Sequence, residues 1–143
     1  MHLTRHTDYA YRVLIYLAIR PGEQATINEI AEAYGISRNH LMKVVQGLAR
    51  AGFLLSRRGK GGGIRLARPT AEINLGAVAR EMEEDFAIAE CFPGGAGQCN
   101  IVPACRLMHV LDEALREFMR VLDGYTLDDL MGQREALAGL LQS

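Results

Sequence analysis

The chain has no apolar run long enough to cross a bilayer. Its longest, Val13 to Ile19, holds seven residues, against the roughly 20 that a membrane helix needs, so no membrane partner is expected. It carries no excess charge of either sign: 16 Lys and Arg against 17 Asp and Glu leave a formal net charge of -1. Bulk electrostatics therefore do not announce a binder of nucleic acid. It opens with no charged, apolar, small-residue leader, so reducing cytosol is the expected compartment and a cytoplasmic location the expected one. Internal repeats and low-complexity tracts are absent. No Ser, His and Asp arrangement has a local motif to recommend hydrolysis. The glycines at 59 and 61–63 lack the G-x-x-x-x-G-K-S/T order of a phosphate loop and do not lead into a helix. An enzyme is thus not expected. With 143 residues, 49% hydrophobic and 23% charged, the chain fits one modest domain, or a small domain with an appended helix.

Cysteine is scarce, and its placement is informative. Cys91, Cys99 and Cys105 are the only three, all within C-FPGGAGQ-C-NIVPA-C. An odd count argues against a disulfide framework. Thiolates that converge from a Gly/Pro-rich loop are a usual ligand set for a soft metal or an iron–sulfur cluster. The other reading is three unrelated thiols. Spacing alone does not name the metal, and three thiolates leave one coordination position to be filled from elsewhere.

Charge, neutral in sum, is segregated in sequence. Residues 50–68 hold six basic side chains and no acid, whereas residues 81–90 hold five acids and no base. A local basic stripe is enough to hold phosphates. Around it the pattern is helical. Apolar residues at Ala10, Val13, Leu14, Leu17 and Ala18 predict a first helix, with Thr4 or Thr7 as its cap and Pro21-Gly22 as its end. Thr26 and Glu29 form a capping box for a helix over 27–34. Gly35 supplies a tight turn, and Ser37 caps a third helix over 38–50 that buries Leu41, Val44, Val45 and Leu48. This is a helix-turn-helix pattern. Two short β-prone segments, 53–56 and 63–67, flank the basic, glycine-rich tip 57–62, as in a winged helix.

Beyond the wing, Asn74 caps a short helix through Met82. An irregular stretch over about 85–102 carries the first two cysteines. Pro103 suits the first turn of a long helix on which Cys105 sits. Its apolar residues (Ala104, Leu107, Met108, Leu111, Leu115, Phe118, Met119, Leu122) make a stripe longer than the preceding domain can cover, so a homodimer is expected. Gly124 ends that helix, and Thr126 with Asp129 forms a last capping box. The expected fold is mainly α with a small β wing. Its divisions are a winged helix-turn-helix domain over 1–82, a cluster-binding loop over 83–102, and a dimerisation helix with a C-terminal helix over 103–143.

Three segments, taken in order with the cysteines, carry a resemblance over nearly the whole chain. They are M-x-L-T-x-x-T-D-Y-A at the start, T-I-N-E-I-A-E-A-Y-G-I-S-R-N-H-L-M-K-V-V in the middle and G-x-x-x-S-R-R-G-K-G-G-G-I-R-L-A in the wing. The chain resembles the winged-helix iron–sulfur transcription regulators of the NsrR/IscR family. The resemblance implies a dimer that holds a cluster between its subunits and changes operator binding as the cluster changes. A 4Fe-4S cluster is the expected cofactor, with 2Fe-2S the other possibility. The IscR branch has evenly spaced cysteines and a histidine three residues after the last. Here that place is Met108, and the first gap holds seven residues rather than five. His109 lies one place later, rotated by about 100° on a helix. The chain therefore looks closer to the nitric-oxide-sensing branch. Members of that branch draw the fourth ligand from an N-terminal aspartate of the other subunit, and Asp8 stands at that place. Its rivals are His2, His6 and His109.

The leading functional expectation is a cluster-regulated repressor that takes nitric oxide as its signal. Ser37, Arg38, Asn39 and His40 begin the third helix, where a recognition helix reaches base edges. Arg38 suits guanine and Asn39 adenine. Lys43 meets phosphate, and Arg57, Arg58 and Lys60 on the wing contact backbone or a neighbouring minor groove. A dimer would read a pseudo-palindromic operator on double-stranded DNA. The alternatives are an IscR-like sensor of iron–sulfur or redox status and, in another class, a cluster-bearing electron-transfer protein. The latter needs neither helix-turn-helix nor basic wing.

Overall fold

The computed structural model describes residues 1–142. Helix α1 (Arg5–Ala18) begins at Thr4, whose hydroxyl accepts from the Thr7 amide; Thr7 itself is buried, so the cap is Thr4. Helix α2 (Ile27–Tyr34) has the capping box that its sequence predicts: Thr26 accepts from the Glu29 amide, and the Glu29 carboxylate accepts from the Thr26 amide. Gly35 closes α2 in the left-handed region at φ 64°, where a side chain would be strained, and turns the chain into Ser37, the cap of α3 (Arg38–Arg50). Leu41, Val44, Val45 and Leu48 fill the face that α3 turns to α1 and α2. Tyr34 donates to the Arg12 carbonyl at 2.9 Å, and burial pushes its hydroxyl up to about 12, so it stays a donor that ties α2 to α1.

Strands β1 (Leu54–Arg57) and β2 (Gly63–Leu66) form an antiparallel hairpin in the register Leu54↔Leu66 to Arg57↔Gly63. Ala25 exchanges both backbone bonds with Ile64 (3.0 and 2.7 Å), which fastens the wing to the segment before α2. Helix α4 (Leu75–Met82), capped by Asn74, packs beside α1 and α3. The winged helix-turn-helix expected from the sequence is therefore present, with one core that α1, α3, α4 and the hairpin share.

The long helix differs from expectation at its start. A tight 3-10 turn, Val102–Ala104, takes up Pro103, and Cys105 follows in an extended conformation (φ -80°, ψ 106°). Extended backbone at that point halts helical propagation, so α5 (Arg106–Asp123) begins one residue later. Cys105 is thus the residue before the helix rather than a residue on it. Arg80 of α4 binds Asp123 through both guanidinium ends, at 2.5 and 2.8 Å, and holds that carboxyl below its usual range. The pair joins the far end of α5 to α4 at the surface. After α5, a 3-10 segment (Leu127–Gln133) and α6 (Arg134–Leu141) return to the winged-helix body. Leu127 is fully buried, its amide bonds the Ile73 carbonyl at 2.8 Å, and Leu130, Met131 and Leu141 pack on the core.

Candidate nucleic-acid interface and metal centre

Because α3 spends one face on the core, its other face is open. Ser37, Arg38, Asn39 and Lys43 are exposed, and so are Gln46 and Arg50 further along. Residues 39, 43, 46 and 50 fall at steps of four, three and four, which makes one stripe down the helix. The Ser37 hydroxyl is occupied as the helix cap. His40 faces another way: it is half-buried, with its ring edge-on to Tyr9 of α1 at 4.7 Å. Arg57, Arg58 and Lys60 are exposed on the hairpin tip, and Arg65 is exposed beside Leu55 on the hairpin's outer face. The predicted DNA residues thus lie on α3 and on the wing, with His40 half-buried against Tyr9 and lining a groove beside Asn39.

A groove of about 990 Å³ runs beside α3, with Asn39, Lys43 and Arg50 on one bank and Glu81, Glu83 and Glu84 on the other. Carboxylates repel phosphate, so the acidic bank marks the edge of the face that DNA can use. His6 stands in this groove, with Gly47 of α3 and Met82 of α4 near it. Burial lowers its pKa, and neighbouring His40 adds to the shift while Glu83 and Glu84 oppose it.

All three cysteines are free thiols; Cys91 and Cys105 are half-buried and Cys99 is exposed. The loop that carries the first two is anchored by one buried side chain, Phe92. Its backbone bonds are local: Phe92 to Ala89, Gly95 to Phe92, Val102 to Cys99. Among the described residues, no three His, Cys, Asp or Glu side chains are grouped as a metal site. The structure therefore does not gather the thiols with Asp8, His2, His6 or His109. The donor set still suits a soft metal. Asp8, in the first turn of α1, is held by Arg12: Nε reaches Oδ1 at 3.2 Å and Nη2 reaches Oδ2 at 2.9 Å.

Residues 3–133 match the family model for Rrf2, described as an iron-dependent transcriptional regulator. The chain belongs to the Rrf2 family. Within it, the chain is 51% identical to the HTH-type transcriptional regulator NsrR of Bacillus subtilis (strain 168) over 99% of this chain and 98% of that one. It is 46% identical to the NsrR of Oceanobacillus iheyensis, over 99% and 97%. Among solved structures, a transcriptional regulator from Listeria innocua superposes with a TM-score of 0.74 at 25% identity, covering 93% of this chain and 88% of that one. CymR, the global cysteine regulator of B. subtilis, does so at 0.68 and 26%, covering 91% and 95%. This Rrf2 chain is a transcriptional regulator of NsrR type and not an enzyme.

Gln46 and Arg50 were within reach of the sequence, because helical arithmetic from Asn39 through Lys43 lands on both. Asn28 of α2 was not. Its Oδ1 accepts from Arg38 Nε at 2.7 Å, across the helix-turn-helix. Ten residues separate them in sequence, and only the packing of the two Rrf2 helices brings them together. No helix among the described residues is long and apolar enough to cross a membrane.

Proposed function

We propose that the chain is a dimeric DNA-binding repressor whose operator affinity is governed by an iron–sulfur cluster held at Cys91, Cys99 and Cys105, with nitric oxide as the signal. One juxtaposition carries the reading. The same chain presents an exposed cationic face on α3 and the wing, and three free thiols, two on a loop whose backbone bonds are local and the third at the start of α5. The family match over most of the chain and the NsrR relatives support it. In this reading residues 1–82 bind DNA, 83–102 carry the cluster, and 103–143 dimerise and close the body. Working in cytosol keeps the thiols reduced.

Bound there, the cluster supplies iron that a small molecule such as nitric oxide can ligate. The rest is done by the chain. Cys91, Cys99 and Cys105 would hold the cluster, and Asp8 of the partner subunit would supply its remaining ligand. Asp8 must first leave Arg12. That pair is 40% and 45% exposed, and such surface pairs contribute about 0–1 kcal/mol, so a carboxylate–iron bond can replace it. Helix α1 packs on α3, so a ligand at Asp8 would couple the cluster to the recognition helix. Without it, a looser dimer would have to be ordered on DNA, and affinity would fall.

The test is analytical. Anaerobically purified protein should contain iron and sulfide and absorb in the visible, and Cys99→Ala should lose most of both. Full cluster content in Cys99→Ala would remove that thiol from the ligand set. A colourless wild-type chain with an internal disulfide would replace the cluster with a thiol switch.

A further inference from the structure

We propose that Asn28 is a positioning residue for sequence readout, which orients Arg38 so that only one fork of its guanidinium faces DNA. The inference rests on the reading of α3 as the recognition helix. A guanidinium offers two forks for a bidentate contact: Nε with Nη2, along its side, and Nη1 with Nη2, at its end. Here the side fork is taken, because Nε donates to Asn28 Oδ1 at 2.7 Å. Nη1 also meets the Met42 sulfur at 3.4 Å, one turn further along α3. Two contacts from opposite sides fix the plane of the group. The end fork then carries the remaining parallel N–H bonds, and that is the arrangement a guanine O6/N7 pair accepts.

An unbraced arginine at the start of a helix samples many rotamers, and it contacts phosphate as readily as base. Holding it before DNA arrives removes that ordering cost from the specific complex and leaves the non-specific complex unchanged. Asn28 would therefore raise discrimination more than affinity. It sits on the second residue of α2, two after the capping residue Thr26. Its backbone is thus fixed by a cap that is itself complete.

The test uses the full-length chain, purified anaerobically. Its ligand is a duplex selected from a randomised library, together with the variants of that duplex that change one guanine at a time. Arg38→Ala identifies the guanine that Arg38 reads. At that guanine Asn28→Ala should lose roughly 5- to 10-fold of discrimination, with the salt dependence of binding unchanged because no phosphate contact is removed. Asn28→Asp keeps the acceptor and should keep the preference, while its new negative charge weakens all duplexes alike. In an Arg38→Ala background Asn28→Ala should change nothing further in base preference. A normal preference in Asn28→Ala, at a guanine that Arg38→Ala shows to matter, would overturn the brace alone. Uniform weakening with a shallower salt slope would make Asn28 a phosphate contact, and would overturn it too. If Arg38→Ala leaves every base preference intact, the recognition-helix reading itself fails and the brace fails with it.

Discussion

In the proposed function Lys60 and Arg38 make two different contributions to binding; one stands on the wing and the other at the start of α3. Lys60 is exposed on a glycine-rich hairpin tip, and among the described residues no hydrogen bond or ion pair holds it. A lone ammonium of that kind acts on phosphate as a point charge. Lys60→Ala should weaken every duplex alike and reduce the slope of log affinity against log salt by about 0.9, one counterion's worth. A changed base preference with the slope intact would show that the wing reads sequence. His6 makes a second prediction at this scale, through pH. Burial lowers its pKa in the folded chain, while the unfolded chain keeps a value of about 6.5. The folded state therefore resists a proton that the unfolded state accepts. Stability should fall as pH drops below about 6.5 and level off once folded His6 also protonates. Denaturation midpoints at pH 7.5 and 5.5 should differ less in His6→Asn than in the parent, and equal differences would contradict this. The sequence made the caps legible, because Thr4, Thr26, Ser37 and Asn74 each act within three residues of themselves. It did not reveal that His40 turns toward Tyr9, since that depends on where α1 crosses α3.

Among the elements, α5 is where periodicity and structure part. The sequence shows one long apolar stripe, but the helix splits it into two faces. Met119 is buried, and with Leu115 it borders Phe86 and Arg80 on the side of α4. Leu107, Val110, Phe118 and Val121 point elsewhere and remain 62%, 52%, 42% and 50% exposed. Their steps of three, eight and three repeat on the open side of the helix, with Ala114 between them. An apolar row of that length in water calls for a second copy to cover it. Phe118→Glu should therefore give a monomer at micromolar concentration whose own fold melts like the parent's, because the new charge lies away from the core. A persistent dimer in sedimentation would place the interface on another surface. Pattern alone could not assign Leu115 and Phe118 to different faces. The angle at which α5 leaves the winged-helix body does that, and its packing on α4 sets it.

At the scale of the whole molecule, DNA-binding surface, thiol loop and apolar helix are linked by a chain that returns on itself. Residues 125–141 leave α5 and rejoin the core beside α1, with Asn74 bridging to Thr126. The C-terminal segment thus joins α5 to α1, while the cysteine loop joins the same body through α4 and through Glu83, which accepts from the Thr4 amide and hydroxyl. The winged helix was readable because its motifs are contiguous. The thiol site was readable only as a set of ligands, since one chain does not bring them together and the fourth ligand is expected from a partner. In the proposed function this assembly releases DNA when its cluster meets nitric oxide. The direct test is fluorescence anisotropy of anaerobic, cluster-loaded protein on its selected duplex during a titration with nitric oxide. Affinity should fall steeply as nitric oxide approaches the concentration of cluster, and the cluster absorbance should change over the same range. Undiminished binding after the absorbance has changed would contradict the account.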